Sequence, residues 1–214
     1  MIATVRSVNA AVPEPVPGMK RPSGIRKRPV DRIEVRDPGP KRGGLGSGVV
    51  GDAIISRKHH GGEHQAVYAV AREELDWWGE HLDRDLGDGM FGENLTTTGI
   101  GVDAAEMGEQ WRVGEVLLEV CGPRIPCATF AKHLGERAWV RRFSERGRTG
   151  AYLAVREAGA IAPGDAIEVV HRPGHGLTVP MAFRALMGDR GVAAVLLDAR
   201  VLPPIEHDWL AARQ

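Results

Sequence analysis

The sequence predicts a mainly β fold, an antiparallel barrel or sandwich with added helices, and three observations predict it. Short apolar or alternating runs recur from residue 2 to residue 170, separated by turn signals. The 214 residues include 28 Gly and 14 Pro, which favours short elements joined by many turns. After Pro173-Gly174-His175-Gly176 the pattern changes to a helical one.

Residues 2–9 alternate enough for a first strand, and Val12 to Gly18 carries three prolines and forms a loop. The basic stretch Lys20 to Arg28 runs into the alternating Val30-Asp31-Arg32-Ile33-Glu34-Val35, a second strand. Residues 37–48 are a mobile Gly/Pro-rich loop, and Ala66 to Val70 is a buried strand. In Ala71 to Leu82, Leu75, Trp78 and Leu82 share one helical face. An acidic turn and strand signals fill Val102 to Val113, and Val116 to Val120 is a strong strand. Phe130 to Phe143 has the pattern of a helix, Thr149 to Val155 is a strand, and Ala166 to Val170 closes the series. The tail predicts three helices: from Thr178, an N-cap candidate, to Met187; from Gly191 to Arg200; and, past Pro203-Pro204, from Ile205 to Arg213. This divides the chain into a β domain at 1–172 and a helical appendage at 177–214.

Composition narrows the function. Lys and Arg number 28 and Asp and Glu 28, so no global field attracts phosphate, and stable nucleic-acid binding is not expected. The 43% of apolar residues suffice for an ordinary core. No stretch approaches the roughly 18 apolar residues of a membrane helix, and the start lacks a secretory pattern. Cys121 and Cys127 lie too close in sequence for a disulfide to gain much. A reduced, cytoplasmic protein that does not bind membranes is expected, either a monomer or a homodimer.

Four blocks carry candidate chemistry. In Cys121-Gly122-Pro123-Arg124-Ile125-Pro126-Cys127 a thiol sits near an arginine on a proline-stiffened turn, an arrangement suited to a soft-metal ligand or a nucleophile. The plainer alternative is a small buried hydrophobe, the role assigned to Cys121. Arg124 offers paired donors to an anion. In His59-His60-Gly61-Gly62, adjacent histidines point to opposite faces of a strand and no third ligand has a usual spacing, which disfavours zinc. A loop with His60 toward a pocket and glycines letting backbone N–H groups approach an anion fits better than a solvated turn. In Phe91-Gly92-Glu93-Asn94-Leu95-Thr96, Asn94 and Thr96 can read a ligand edge or hold phosphate, and Glu93 can orient neighbours or accept an N–H; a simple β-turn explains only part of the block. The fourth block is Arg26-Lys27-Arg28 between Gly24 and Pro29-Val30.

In this order the four blocks resemble the MOSC domain, and in particular its small stand-alone bacterial branch, linked to reduction of N-hydroxylated bases. The likeness runs from about Val5 to Val170, and the tail resembles that branch too. It implies a MOSC-type barrel and a molybdenum cofactor, molybdopterin with Mo. Cys127 would be the thiolate ligand to molybdenum and hence catalytic. Lys27, His60, Gly61, Gly62, Glu93, Asn94, Thr96 and Arg124 would be cofactor-binding. The implied activity is reduction of N-hydroxylated compounds such as hydroxylaminopurine-like bases or amidoximes. Electrons would come from separate partners, a flavin reductase or an iron–sulfur protein, since the chain has neither a ferredoxin cysteine cluster nor a Gly-x-Gly-x-x-Gly fingerprint. Two other roles match the same residues: a sulfur carrier using a Cys127 persulfide, and a non-catalytic molybdopterin carrier. Against the branch pattern, Gly51-Asp52 is followed here by the apolar Ile54-Ile55, which alters the pocket mouth.

Overall fold

The computed structural model describes residues 2–56 and 60–214. Their elements are β1 (Thr4–Ala10), β2 (Arg28–Val30), β3 (Ile33–Val35), β4 (Val67–Ala71), α1 (Arg72–Leu82), β5 (Leu95–Thr98), β6 (Gln110–Val113), β7 (Val116–Pro123), α2 (Ala128–Leu134), α3 (Trp139–Arg146), β8 (Ala151–Glu157), β9 (Gly159–Ile161), β10 (Ile167–His171), α4 (Val179–Leu186), α5 (Arg190–Ala199) and α6 (Pro204–Ala211).

Eight strands form one sheet in the order β10-β6-β7-β8-β4-β5-β1-β2. The sheet curls until its ends meet: the Val5 N–H donates to the Asp165 carbonyl (2.8 Å) and the Ile167 N–H to the Ala3 carbonyl (2.8 Å). This contact covers the edge at the start of β1, while β2 stays a short, exposed end strand. The barrel is mostly antiparallel, with one departure from the expected pattern: β4 and β5 pair in parallel. That pairing is possible because α1 and the segment after it supply a crossover long enough to bring β5 back beside β4.

Two expected elements are split. The run Val30 to Val35 breaks at Asp31-Arg32, so β2 joins β1 while β3 joins β9 in a separate two-stranded sheet. The helix expected over Phe130 to Phe143 is interrupted between α2 and α3, where Gly135 and Ala138 both take left-handed backbone angles. Glycine does so at no steric cost, which ends α2. The 37–48 loop is held rather than loose. The Leu45 N–H bonds the Pro38 carbonyl (2.7 Å), the Glu63 N–H the Gly39 carbonyl (2.8 Å) and the Gly62 N–H the Gly46 carbonyl (2.9 Å).

Two apolar clusters fill the fold. In the larger, Trp111, Leu118, Val120 and Leu153 of the barrel pack with Val179, Ala182, Leu196 and Leu210, so α4–α6 share the barrel's core. In the smaller, Trp78, Phe91, Phe130, Trp139 and Phe143 pack ring against ring, with centroids 4.6 to 6.4 Å apart. Offset and edge-on ring pairs add to the burial energy, which makes this cluster a firm base for the segment that carries Arg124 and Cys127. Among the described residues no helix is long and apolar enough to cross a membrane.

Candidate functional site

A cavity of about 640 Å³ opens beside the aromatic cluster, within the usual size range of small-molecule sites. Five stretches wall it: residues 19–27, 47–56, 60–68, 92–94 and 124–129, with Tyr152 of β8. The first two meet closely at Gly24, where an added Cβ would lie 1.9 Å from the Ala53 carbonyl oxygen. No residue with a side chain fits there.

Proline sets the wall that carries the thiol. β7 ends at Pro123, which has no N–H for the ladder, and Pro126 stiffens the turn before α2. Cys127 is a partly buried free thiol on this wall, and its carbonyl accepts the Ala131 N–H (3.0 Å) in the first turn of α2. Three residues earlier, Arg124 is buried with its guanidinium over the rings of Phe130 (4.2 Å) and Tyr68 (5.1 Å). Its Nη1 donates to the Phe91 carbonyl (2.8 Å), while its buried Nε–H has no acceptor. Among the described residues no carboxylate pairs with it. An uncompensated buried cation costs several kcal/mol, so this wall suits an anion.

A second part of the lining is compensated internally. Lys27 is buried and its ammonium pairs with Asp52, whose side chain is 1% exposed. Asp52 also accepts from the Ala11 N–H (2.9 Å), the Ser47 hydroxyl (3.0 Å) and the Asn94 amide (3.1 Å). Burial depresses the Lys27 pKa, and Asp52 opposes that shift. Asn94 faces the cavity, but its amide is committed to Asp52, the Asn9 carbonyl (3.2 Å) and the Tyr68 N–H (3.3 Å). Both Lys27 and Asn94, expected as phosphate or pterin contacts, line the cavity with their polar groups engaged by the wall itself.

The glycine loop is engaged with the protein in the same way. His60 and Gly61 line the cavity, but Gly62 does not, and its N–H is taken by the Gly46 carbonyl. Gly62 has φ 88°, and a Cβ there would lie 2.7 Å from the Lys41 Cα. Glycine therefore lets the loop pack against residues 39–46, not against an anion. His59 lies outside the described residues. No cluster of three His, Cys, Asp or Glu able to hold a metal ion occurs among the described residues.

Glu93 and Thr96 also sit behind the wall. Glu93 is fully buried and accepts from the N–H groups of Gly89 (2.6 Å) and Phe91 (2.9 Å) and from the Thr96 hydroxyl (2.9 Å). Burial pushes its pKa up to about 7 against those donors. Thr96 in turn accepts from the Asn9 amide (3.1 Å). The two fix the turn that presents Gly92 and the Phe91 carbonyl. Cys121 is buried on β7 with its pKa raised to about 12 by burial, an inert packing thiol.

Cavity residues that sequence reasoning did not single out are Ser47, Tyr68 and Tyr152. The two tyrosine rings pack at 5.1 Å, and burial raises both pKa values. Strand alternation placed Tyr152 opposite Ala151 and Leu153, but alternation does not say which face holds a cavity.

The comparisons bear on this geometry directly. The MOSC domain model matches residues 56–168, more than half of the chain. The chain belongs to the MOSC domain family. It is 32% identical over 183 residues to an uncharacterized protein, YflK, of Bacillus subtilis; the match takes in 85% of this chain and 79% of that protein. Protein YiiM of Escherichia coli is 29% identical over 128 residues, 58% of this chain and 57% of that one. A Gibberella moniliformis protein called a reductase is 35% identical over 131 residues, 59% of this chain but 23% of its own length. The crystal structure of YiiM from Geobacillus stearothermophilus superposes with a TM-score of 0.77 at 23% identity, covering 99% of this chain and 98% of that one. At that identity the likeness is one of fold, and it gives this MOSC protein the architecture of the small YiiM-type members.

Proposed function

We propose that this MOSC protein binds a molybdenum–pterin cofactor and reduces N-hydroxylated compounds with electrons from a separate flavin or iron–sulfur protein. One observation carries the reading: Arg124, a buried cation with an unsatisfied Nε–H and no carboxylate partner, shares a cavity wall with the thiol of Cys127. The residues present fit such a group. A guanidinium is the preferred partner of a buried phosphate, a thiolate is a soft ligand for the metal, and MOSC domains are generally associated with this cofactor.

When bound, the cofactor supplies two-electron chemistry that cleaves the N–O bond, so that substrate, two electrons and two protons give the amine and water. Arg124 holds the anionic end of the cofactor. The Pro123–Pro126 turn fixes the Cys127 sulfur at the wall, with the aromatic cluster behind it. The Lys27-Asp52-Asn94 network keeps the second part of the lining rigid and adds no net charge. Tyr68 and Tyr152 exclude water between the two.

The test is elemental analysis of protein purified from a cofactor-producing host, alongside Cys127→Ser. Near-stoichiometric molybdenum that falls sharply in the variant supports the reading. Absence of molybdenum from both, with a cyanide-labile sulfur on Cys127, replaces it with sulfur transfer. Bound molybdenum without turnover of any N-hydroxylated compound leaves a cofactor carrier.

A further inference from the structure

We infer that the cavity selects N-hydroxylated substrates with an apolar aromatic body, and that Ile54, Ile55 and Ile125 form the selecting lip; this deepens the reductase reading and rests on it. Arg124 and Cys127 line the cavity, Lys27 and Asp52 neutralise each other within it, and the exposed Arg21 and half-buried His60 complete its charged and titratable lining. The rim is different. Ile55 is 43% exposed and Ile125 40% exposed, yet both line the cavity. Large aliphatic side chains that line a cavity gain nothing from that exposure in the free protein. Both would bury further area against an apolar molecule that enters it.

The lip is built, not incidental. Ile54 packs on the glycine loop, where a Cβ on Gly61 would stand 3.1 Å from its Cδ1. Ile125 is held between Arg124 and Pro126 in the stiffened turn. Ile55 extends the same apolar strip, and Met19 adds to the lining. A hydroxylated purine presents hydrogen-bonding edges around its ring. The isoleucines would desolvate those edges without replacing their hydrogen bonds, whereas a phenyl or alkyl body loses none. The exposed isoleucines thus have a chemical consequence: the polar N–O head enters first and the apolar body stays against the lip.

The experiment compares benzhydroxamate, acetohydroxamate and 6-hydroxylaminopurine by calorimetric titration into purified protein of measured molybdenum content. Ile55→Asp and Ile125→Asp accompany the wild type, both chosen at exposed positions and checked for unchanged melting temperature. Benzhydroxamate should bind about tenfold more tightly than acetohydroxamate, and that preference should shrink severalfold in either variant. Equal affinities, tighter binding of the purine, no binding of any probe, or a preference that both variants retain would overturn the inference. If the preference is present while the protein neither holds molybdenum nor turns over substrate, the lip stands and the reductase reading falls.

Discussion

Two buried cations face one cavity and live in opposite electrostatic worlds. Lys27 has a dedicated carboxylate, Asp52, itself tied to Ala11, Ser47 and Asn94. Arg124 has a carbonyl, two aromatic faces and an Nε–H with no partner. Burial alone therefore does not mark a binding residue. A paired cation has its charge compensated by the fold, and under the proposed function the unpaired one awaits an anionic ligand.

That contrast can be broken from either side. Asp52→Ala leaves the Lys27 ammonium buried and unpaired and should cost about 3–5 kcal/mol in chemical denaturation. Glu93, buried behind the wall, carries a pH-dependent share of the stability. Burial raises its folded pKa to about 7 from an ordinary value near 4.5. The folded state then holds the proton more tightly than the unfolded one, so Glu93 contributes most below pH 4.5, and that contribution is lost as pH rises toward and through 7. Relative to Glu93→Gln, the wild type should lose roughly 2–3 kcal/mol of stability between pH 4.5 and 7.5 and stay level above, read from melting curves across pH.

Lys27→Met should cost less than Asp52→Ala, about 2 kcal/mol, because Asp52 keeps three other donors. Arg124→Met sharpens the comparison most. Its stability should change by no more than about 1 kcal/mol, the loss of one hydrogen bond and ring contact being offset by removal of an uncompensated charge. Its molybdenum content should nevertheless fall at least tenfold, while Lys27→Met protein that remains folded keeps its metal. Loss of metal from Lys27→Met with retention by Arg124→Met would reverse the assignment of the two walls.

The same contrast explains what was legible in the sequence. The Arg124-Ile125-Pro126-Cys127 turn could be read because proline, arginine and cysteine restrict the backbone and the chemistry locally. His60, Gly61 and Asn94 line one cavity, but a motif does not reveal which hydrogen bonds its side chains have already spent. Glu93 and Thr96 turn inward onto their own loop, an orientation set by the Gly89 and Phe91 N–H groups and by Asn9 on β1. The partnership of Lys27 with Asp52 spans 25 residues and that of Asn94 with Asp52 spans 42, so no local pattern carries either. The strands were visible as runs of alternation, whereas the parallel pairing of β4 with β5 is a long-range event with no periodic signature.

The closure of the barrel sets an order of events for a chain being made from its N-terminus. Among the described residues, the outer edge at the start of β1 is covered by residues 164–167. The first strand synthesised is therefore among the last to gain both neighbours, and until then it presents unpaired backbone to any other nascent chain. Such late, distant pairing slows folding and leaves an aggregation-prone edge exposed. Chains that stop before residue 164 would keep that edge permanently, although the residues lining the cavity, Met19 to Tyr152, are already made.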